Sequence, residues 1–236
     1  MIEIVLDIET IPNQNLKEFH YEILNRKIDK ININNYKSRL EQLELRTNEI
    51  NKYCSLNPEF SQIVCICLNK KEQLTEKQII KLQYHDIDIT ELESKNIIFS
   101  GINEHKILSS FYEYFSQFKS NEIKIISFNG KKFDIPTILK RSCILNIKPT
   151  YKFINKKYDI IHHYDIMEIL NNFYYDKNTL RLQEYAKIFN IENNDISDGS
   201  DVYKLFKENN FNEIEKHCIE DITTTRKLYE KIKIYF

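Results

Sequence analysis

The chain has 236 residues, 42% of them hydrophobic and 29% charged, a balance that supports a well-buried core and excludes a disordered or fibrous protein. Its 34 basic and 35 acidic side chains leave a net charge of −1. That excludes the broad basic surface by which many proteins grip phosphate backbones without regard to sequence. A local basic patch, or cations held by acids, remains compatible with it.

Residues 2–8 (IEIVLDI) are β-branched and apolar and end in acids, which predicts a buried first strand closed by Pro12 and Asn13. Residues 14–53 are polar, with apolar residues at helical spacing (Leu16, Phe19, Ile23, Leu24, then Leu40, Leu43, Ile50), and predict a helical insertion of one or two helices. Two further strands are predicted at 62–68 (QIVCICL) and 78–84 (KQIIKLQ), and a short apolar run follows at 97–100. The apolar stripe Ile107, Leu108, Phe111, Phe115, Phe118 predicts an amphipathic helix over 103–119. A strand at 123–128 runs into the turn NGKK, and a helix starts at Asp134 with Pro136 in its first turn, where the missing N–H costs little. Residues 158–166 predict a last strand, and 180–189, 201–208 and 211–235 predict helices. The expected architecture is α/β, a central mixed sheet flanked by helices, with the whole chain, 1–236, as a single domain.

The five cysteines form no C-x-x-C, and their odd number and spacing predict reduced, buried thiols rather than a disulfide framework or a zinc site. Acids at Glu3 and Asp7 interrupt the N-terminal apolar run, and no apolar stretch approaches the ~18 residues of a membrane span. A soluble, intracellular protein is expected, cytoplasmic in a prokaryote, without a membrane partner.

Three acidic elements carry the chemistry. Asp7 and Glu9 stand two apart at the end of the first strand, so both project to one face. Two such carboxylates repel unless a cation lies between them, and hard oxygen donors suit Mg²⁺ or Mn²⁺. Taken alone, the pair reads equally as a solvated strand end. Asp134 follows an Asn-Gly turn and opens a helix, where it could act simply as an N-cap. His217 and Asp221 lie one turn apart on the last helix, the spacing of an ordinary helical side-chain pair. In combination, four acids and a base in this order match metal-assisted phosphodiester hydrolysis with two divalent ions, in which His217 suits a general base.

The segments LDIETIP, SFNGKKFDIPTILKR and HCIEDITTTRKLY resemble the three motifs of the DEDD superfamily of 3′-5′ exonucleases. The nearest likeness is to stand-alone exonucleases similar to the proofreading domain of family B DNA polymerases. FSQIVCICL, HHYDIMEIL and the stretch before His217 resemble the same family, whereas 14–53 resembles nothing in it. The resemblance implies an RNase H-like fold and removal of nucleotides from 3′ ends of single-stranded nucleic acid, DNA favoured over RNA, alone or for a replication or repair partner. It assigns Asp7, Glu9, Asp134 and Asp221 as metal ligands and matches Asn129 and Phe133 to substrate-contacting positions. Polymerase-like members carry Tyr-x-x-x-Asp in the third motif and the histidine branch His-x-x-x-x-Asp; here His217 stands at the tyrosine spacing. The alternatives are a catalytically weak nucleic-acid-binding module of the same fold and an RNA exonuclease.

Lys131, Lys132, Lys140 and Arg141 flank the second motif and are expected either to hold substrate phosphates or to form a solvated face. His162, His163 and Asp165 form a tempting cluster, but neighbours in a strand point to opposite faces, so Asp165 reads better as a supporting residue than as a metal ligand.

Overall fold

The computed structural model describes residues 1–28, 39–71, 94–174, 179–192 and 201–236. In chain order they form β1 (Ile2–Pro12), α1 (Glu18–Ile28), α2 (Arg39–Leu56), β2 (Ser61–Lys71), β3 (Ser94–Ser100), α3 (Glu104–Phe115), β4 (Ile123–Ser127), α4 (Asp134–Ile144), β5 (His163–Asp165), α5 (Ile166–Leu170), α6 (Leu182–Ile188), α7 (Val202–Lys207) and α8 (Phe211–Ile232). The strands make one mixed sheet in the order β3-β2-β1-β4-β5. β1–β2 and β2–β3 are antiparallel, whereas β1–β4 and β4–β5 are parallel. No described helix is long and apolar enough to cross a membrane.

Alternation along β1 decides which layer each residue joins. Ile4, Leu6 and Ile8 point into a core with Ile107, Leu108, Phe111 and Phe115 of α3 and Ile135 and Ile138 of α4. Val5 and Ile11 point into the opposite core, with Ile214, Cys218, Ile222, Leu228 and Ile232 of α8. Asp7 and Glu9 share the parity of Val5 and Ile11, so they lie on the α8 side. A bulge follows them: Glu9 pairs with Cys65 but Thr10 with Ile63, which leaves Val64 as an extra residue on β2. The insertion supplies two helices, and Leu24, Cys54 and Phe60 are buried together as a small third core.

α8 is tied to the far end of β1. The Arg226 guanidinium donates to the Asn69 carbonyl (2.9 Å), the Asn69 side chain (3.0 Å) and the Glu3 carbonyl (3.3 Å), and the Tyr229 hydroxyl donates to Glu3 Oε1 (2.6 Å).

Several expectations are revised. The last strand is three residues long, because Asp159 accepts from the N–H groups of Ile161 and His162 and turns the chain there. α5 was not expected; Asp165 caps it by accepting from the Glu168 N–H. α8 ends at Ile232 rather than 235. The strand expected at 78–84 lies outside the described residues.

Arg141 does not face solvent. It is 2% exposed, and its guanidinium meets Glu104 through two hydrogen bonds, Nε to Oε1 (2.8 Å) and Nη2 to Oε2 (2.6 Å). A third bond reaches the Pro58 carbonyl at 3.1 Å, while Glu104 Oε1 also accepts from the Ile63 N–H at 2.8 Å. The fork joins α3, α4 and the entry to β2. Arg141→Ala strands a buried carboxylate, so the denaturant midpoint should fall by the equivalent of about 3–5 kcal/mol with little change in slope. A shift within experimental error would show that Glu104 finds water instead.

Candidate active site

The pairing of β1 with β4 ends at Val5–Ile126, so Asp7 and Glu9 extend beyond the last paired residue of β4. The chain leaves β4 through Phe128, Asn129 and Gly130. Asn129 takes a left-handed backbone (φ 68°), which asparagine tolerates better than most residues. Gly130 has no room for a side chain, since a Cβ there would lie 2.4 Å from Ser127 Oγ and 3.3 Å from Asp134 Oδ2. The tight turn lets the chain reverse directly into α4.

Asp165 holds that turn. Its Oδ1 accepts from the Asn129 N–H (3.0 Å) and its Oδ2 from the Lys131 N–H (2.9 Å). Below it, His163 is bonded to Ser127 Oγ (2.8 Å) and to the Asn155 side chain (2.9 Å), and Asn155 donates to the Lys131 carbonyl (3.0 Å). Burial, with Lys131 nearby, pushes the His163 imidazole down to about 3, so it is neutral. These residues brace the turn.

α4 begins at Asp134, which is 2% exposed. The preceding cap position, Phe133, makes no side-chain cap bond. Asp134 Oδ1 is buried without a hydrogen-bond partner. Burial raises this carboxyl to about 8, assisted by Asp165 and Asp221, against the pull of the Asp134 and Ile8 backbone N–H groups. Burial also raises Asp7 well above the ordinary range, and Asp134, Glu9 and Asp221 push it further. The two acids therefore feel each other and Asp221.

α8 completes the cluster. His217 Nε2 is 3.6 Å from Glu9 Oε1, and donor atoms of Glu9, His217 and Asp221 all lie within 4.8 Å of one another. Asp7, Glu9 and Cys218 form a second such group. The three predicted elements are thus brought to one end of the sheet: Asp7 and Glu9 from β1, Asp134 from α4, His217 and Asp221 from α8.

The flanking cations differ from expectation. Lys131 is buried and its ammonium is 2.5 Å from the buried Glu168 carboxylate. Neither Lys131 nor Arg141 is presented to a substrate, because each charge is matched inside the fold. Lys132 is exposed, and Lys140 pairs with Glu59 at the surface (2.8 Å). Phe133 is partly buried, and Asn129 Oδ1 is buried without a hydrogen-bond partner.

Two neighbours of the cluster had no signal in the sequence. Gln183 on α6 donates to Asp221 Oδ1 at 3.5 Å. Cys218 approaches Asp7, with Sγ 3.5 Å from Oδ2. Its place directly after His217 was the only hint.

No curated protein matches the chain. The structure is similar to that of the family B DNA polymerase from the hyperthermophilic archaeon Pyrobaculum calidifontis, with a TM-score of 0.58 and 12% identity over 98% of this chain. The chain spans 24% of the polymerase chain, and at this identity the likeness is one of fold. It agrees with the RNase H-like arrangement of a mixed sheet flanked by helices. A family model matches residues 51–235 and so includes Asp134, His217 and Asp221, while β1 with Asp7 and Glu9 precedes the match. With that match covering most of its length, the chain belongs to the family of predicted 3′-5′ exonucleases related to the exonuclease domain of PolB.

Proposed function

We propose that this protein is a metal-dependent exonuclease that removes nucleotides from the 3′ end of single-stranded nucleic acid, DNA in preference to RNA. The observation that carries the reading is the convergence of four carboxylates and one imidazole from β1, α4 and α8 at one end of the sheet. The kinship with a polymerase exonuclease domain supports DNA as the substrate.

The residues fit a pair of divalent ions. The donors are carboxylate oxygens, which suit Mg²⁺ or Mn²⁺. Asp134 has an oxygen with no partner inside the protein, and Asp7 and Asp134 are both raised, as expected of acids that lack a counter-charge. Asp7, Glu9, Asp134 and Asp221 would hold the ions, which supply charge neutralisation at the scissile phosphate and a more acidic water.

The chain's own groups do the rest. His217 is suited to accept the proton of the attacking water, with the Glu9 carboxylate beside it to stabilise the imidazolium that results. Gln183 orients Asp221. Asn129 and Phe133 border Asp134 in sequence and are the best candidates to contact the terminal nucleotide. Lys132 is the flanking lysine exposed enough to meet a phosphate.

A 5′-labelled single-stranded DNA incubated with Mn²⁺ should shorten stepwise from its 3′ end, and Asp7→Ala and Asp221→Ala should each abolish the ladder while leaving the circular dichroism spectrum intact. Digestion by both variants at the parental rate would place the chemistry elsewhere. His217→Ala should slow turnover by roughly 10²–10⁴ with little change in the Mn²⁺ concentration needed. An unchanged rate would make His217 a packing residue.

The raised acids also give a pH signature. A carboxyl bound more tightly to its proton in the folded state contributes stability below its unfolded pKa and loses it as pH rises through the folded value. For Asp134 the window runs from 3.8 to about 8. In chelator, thermal stability should therefore decline across that interval, and the gain from added Mg²⁺ should grow with pH. A Mg²⁺ effect independent of pH would argue against these acids as the binding site.

A further inference from the structure

A second donor set lies beneath the carboxylates. Cys65 and Cys67 project to the same face of β2 with their sulfurs 3.6 Å apart. Cys218 descends on them from α8, so that the three sulfurs lie within 4.8 Å of one another. All three are fully buried and none is in a disulfide. Spacing along the chain hides this group, because Cys218 is far from the other two in sequence.

Asp7 stands at the remaining corner, with Oδ2 3.5 Å from Cys218 Sγ. A tetrahedral zinc-like ion has bonds of about 2.3 Å to sulfur and about 2.0 Å to oxygen, which requires edges of roughly 3.8 Å between sulfurs and roughly 3.5 Å between sulfur and oxygen. The Cys65–Cys67 and Cys218–Asp7 separations match those two kinds of edge. Three cysteines could also be merely small apolar side chains where a helix crosses a sheet closely. That account explains the sulfurs but assigns no role to the carboxylate among them.

We propose that Cys65, Cys67, Cys218 and Asp7 form a binding site for a thiophilic divalent cation of the zinc class. Its chemistry differs from that of the four carboxylates, since thiolates select soft or borderline ions and all-oxygen sets select hard ones. Binding displaces the thiol protons to solvent, one from each sulfur that ligates. The two donor sets share Asp7, so an ion among the sulfurs withdraws that carboxylate from Glu9, Asp134 and Asp221. This makes the site inhibitory; the inhibition rests on the exonuclease reading, whereas the binding does not.

The test is a titration of chelator-stripped, phosphine-reduced protein with Co²⁺, read by thiolate-to-cobalt charge transfer in the near ultraviolet and tetrahedral bands in the visible. One equivalent should produce both sets of bands, and Zn²⁺ should bleach them. Cys143→Ser, at an exposed position on α4, should leave the bands unchanged. Cys65→Ser and Cys218→Ser should lose them, and Asp7→Asn should move the visible bands while keeping the charge transfer. Absence of thiolate bands in the folded parent overturns the proposal without recourse to any variant, and so do bands that persist in both Cys65→Ser and Cys218→Ser. Bands in a protein that digests no DNA leave this site standing and remove the exonuclease reading. Active digestion without bands does the reverse.

Discussion

Like charges brought into one buried place repel, and this fold concentrates that repulsion at a single end of its sheet. Asp7 and Asp134 are both pushed towards protonation by burial and by their acidic neighbours. Isolated from the rest, such a cluster would spread apart or move into water. It is held because each acid is fixed by a different rigid element, and those elements are held by contacts that do not involve the acids. β1 is paired on both sides before it reaches Asp7. The turn before Asp134 is fixed by Asp165, whose side chain accepts three backbone N–H bonds. The site is therefore preorganised for cations that the rest of the chain does not supply.

The distribution of positive charge follows from the same constraint. A lysine or arginine near the acids could neutralise them and occupy the place of an ion. Lys131 and Arg141 are instead paired with Glu168 and Glu104, away from the acid cluster. Both pairs are buried, so each cation is costly to lose yet contributes no free charge to the cleft. This is also why a near-neutral chain can serve a polyanionic substrate: attraction would come from bound ions rather than from a basic face.

The legible part of the sequence was its periodicity. The first strand, the second strand, the strand before the Asn-Gly turn and the long last helix follow from apolar spacing, and the parity of Asp7 and Glu9 follows from the strand. Short elements were less visible. Helix α5 depends on one capping side chain, and β5 is trimmed by an Asx turn at Asp159, neither of which leaves a periodic trace. Partners distant in sequence were not legible at all. Nothing near Arg141 announces Glu104, nothing near Asp221 announces Gln183, and the thiols of β2 acquire their third member only when α8 packs.

The Arg226 clasp has a consequence for how the molecule tolerates change. It grips β1 and β2 near Glu3 and Asn69, well before β1 reaches its acids. Asp221 is five residues earlier on the same helix, roughly 7.5 Å along its axis. The longitudinal and rotational setting of α8 against the sheet is thus anchored outside the cleft, and His217 and Asp221 inherit it as points on a rigid rod. Drift of sequence at Arg226 would misalign the reacting groups without touching them, whereas the exposed residues after Ile232 are free to vary. Selection for catalysis therefore extends to a pair of ordinary-looking polar residues at the opposite end of the first strand.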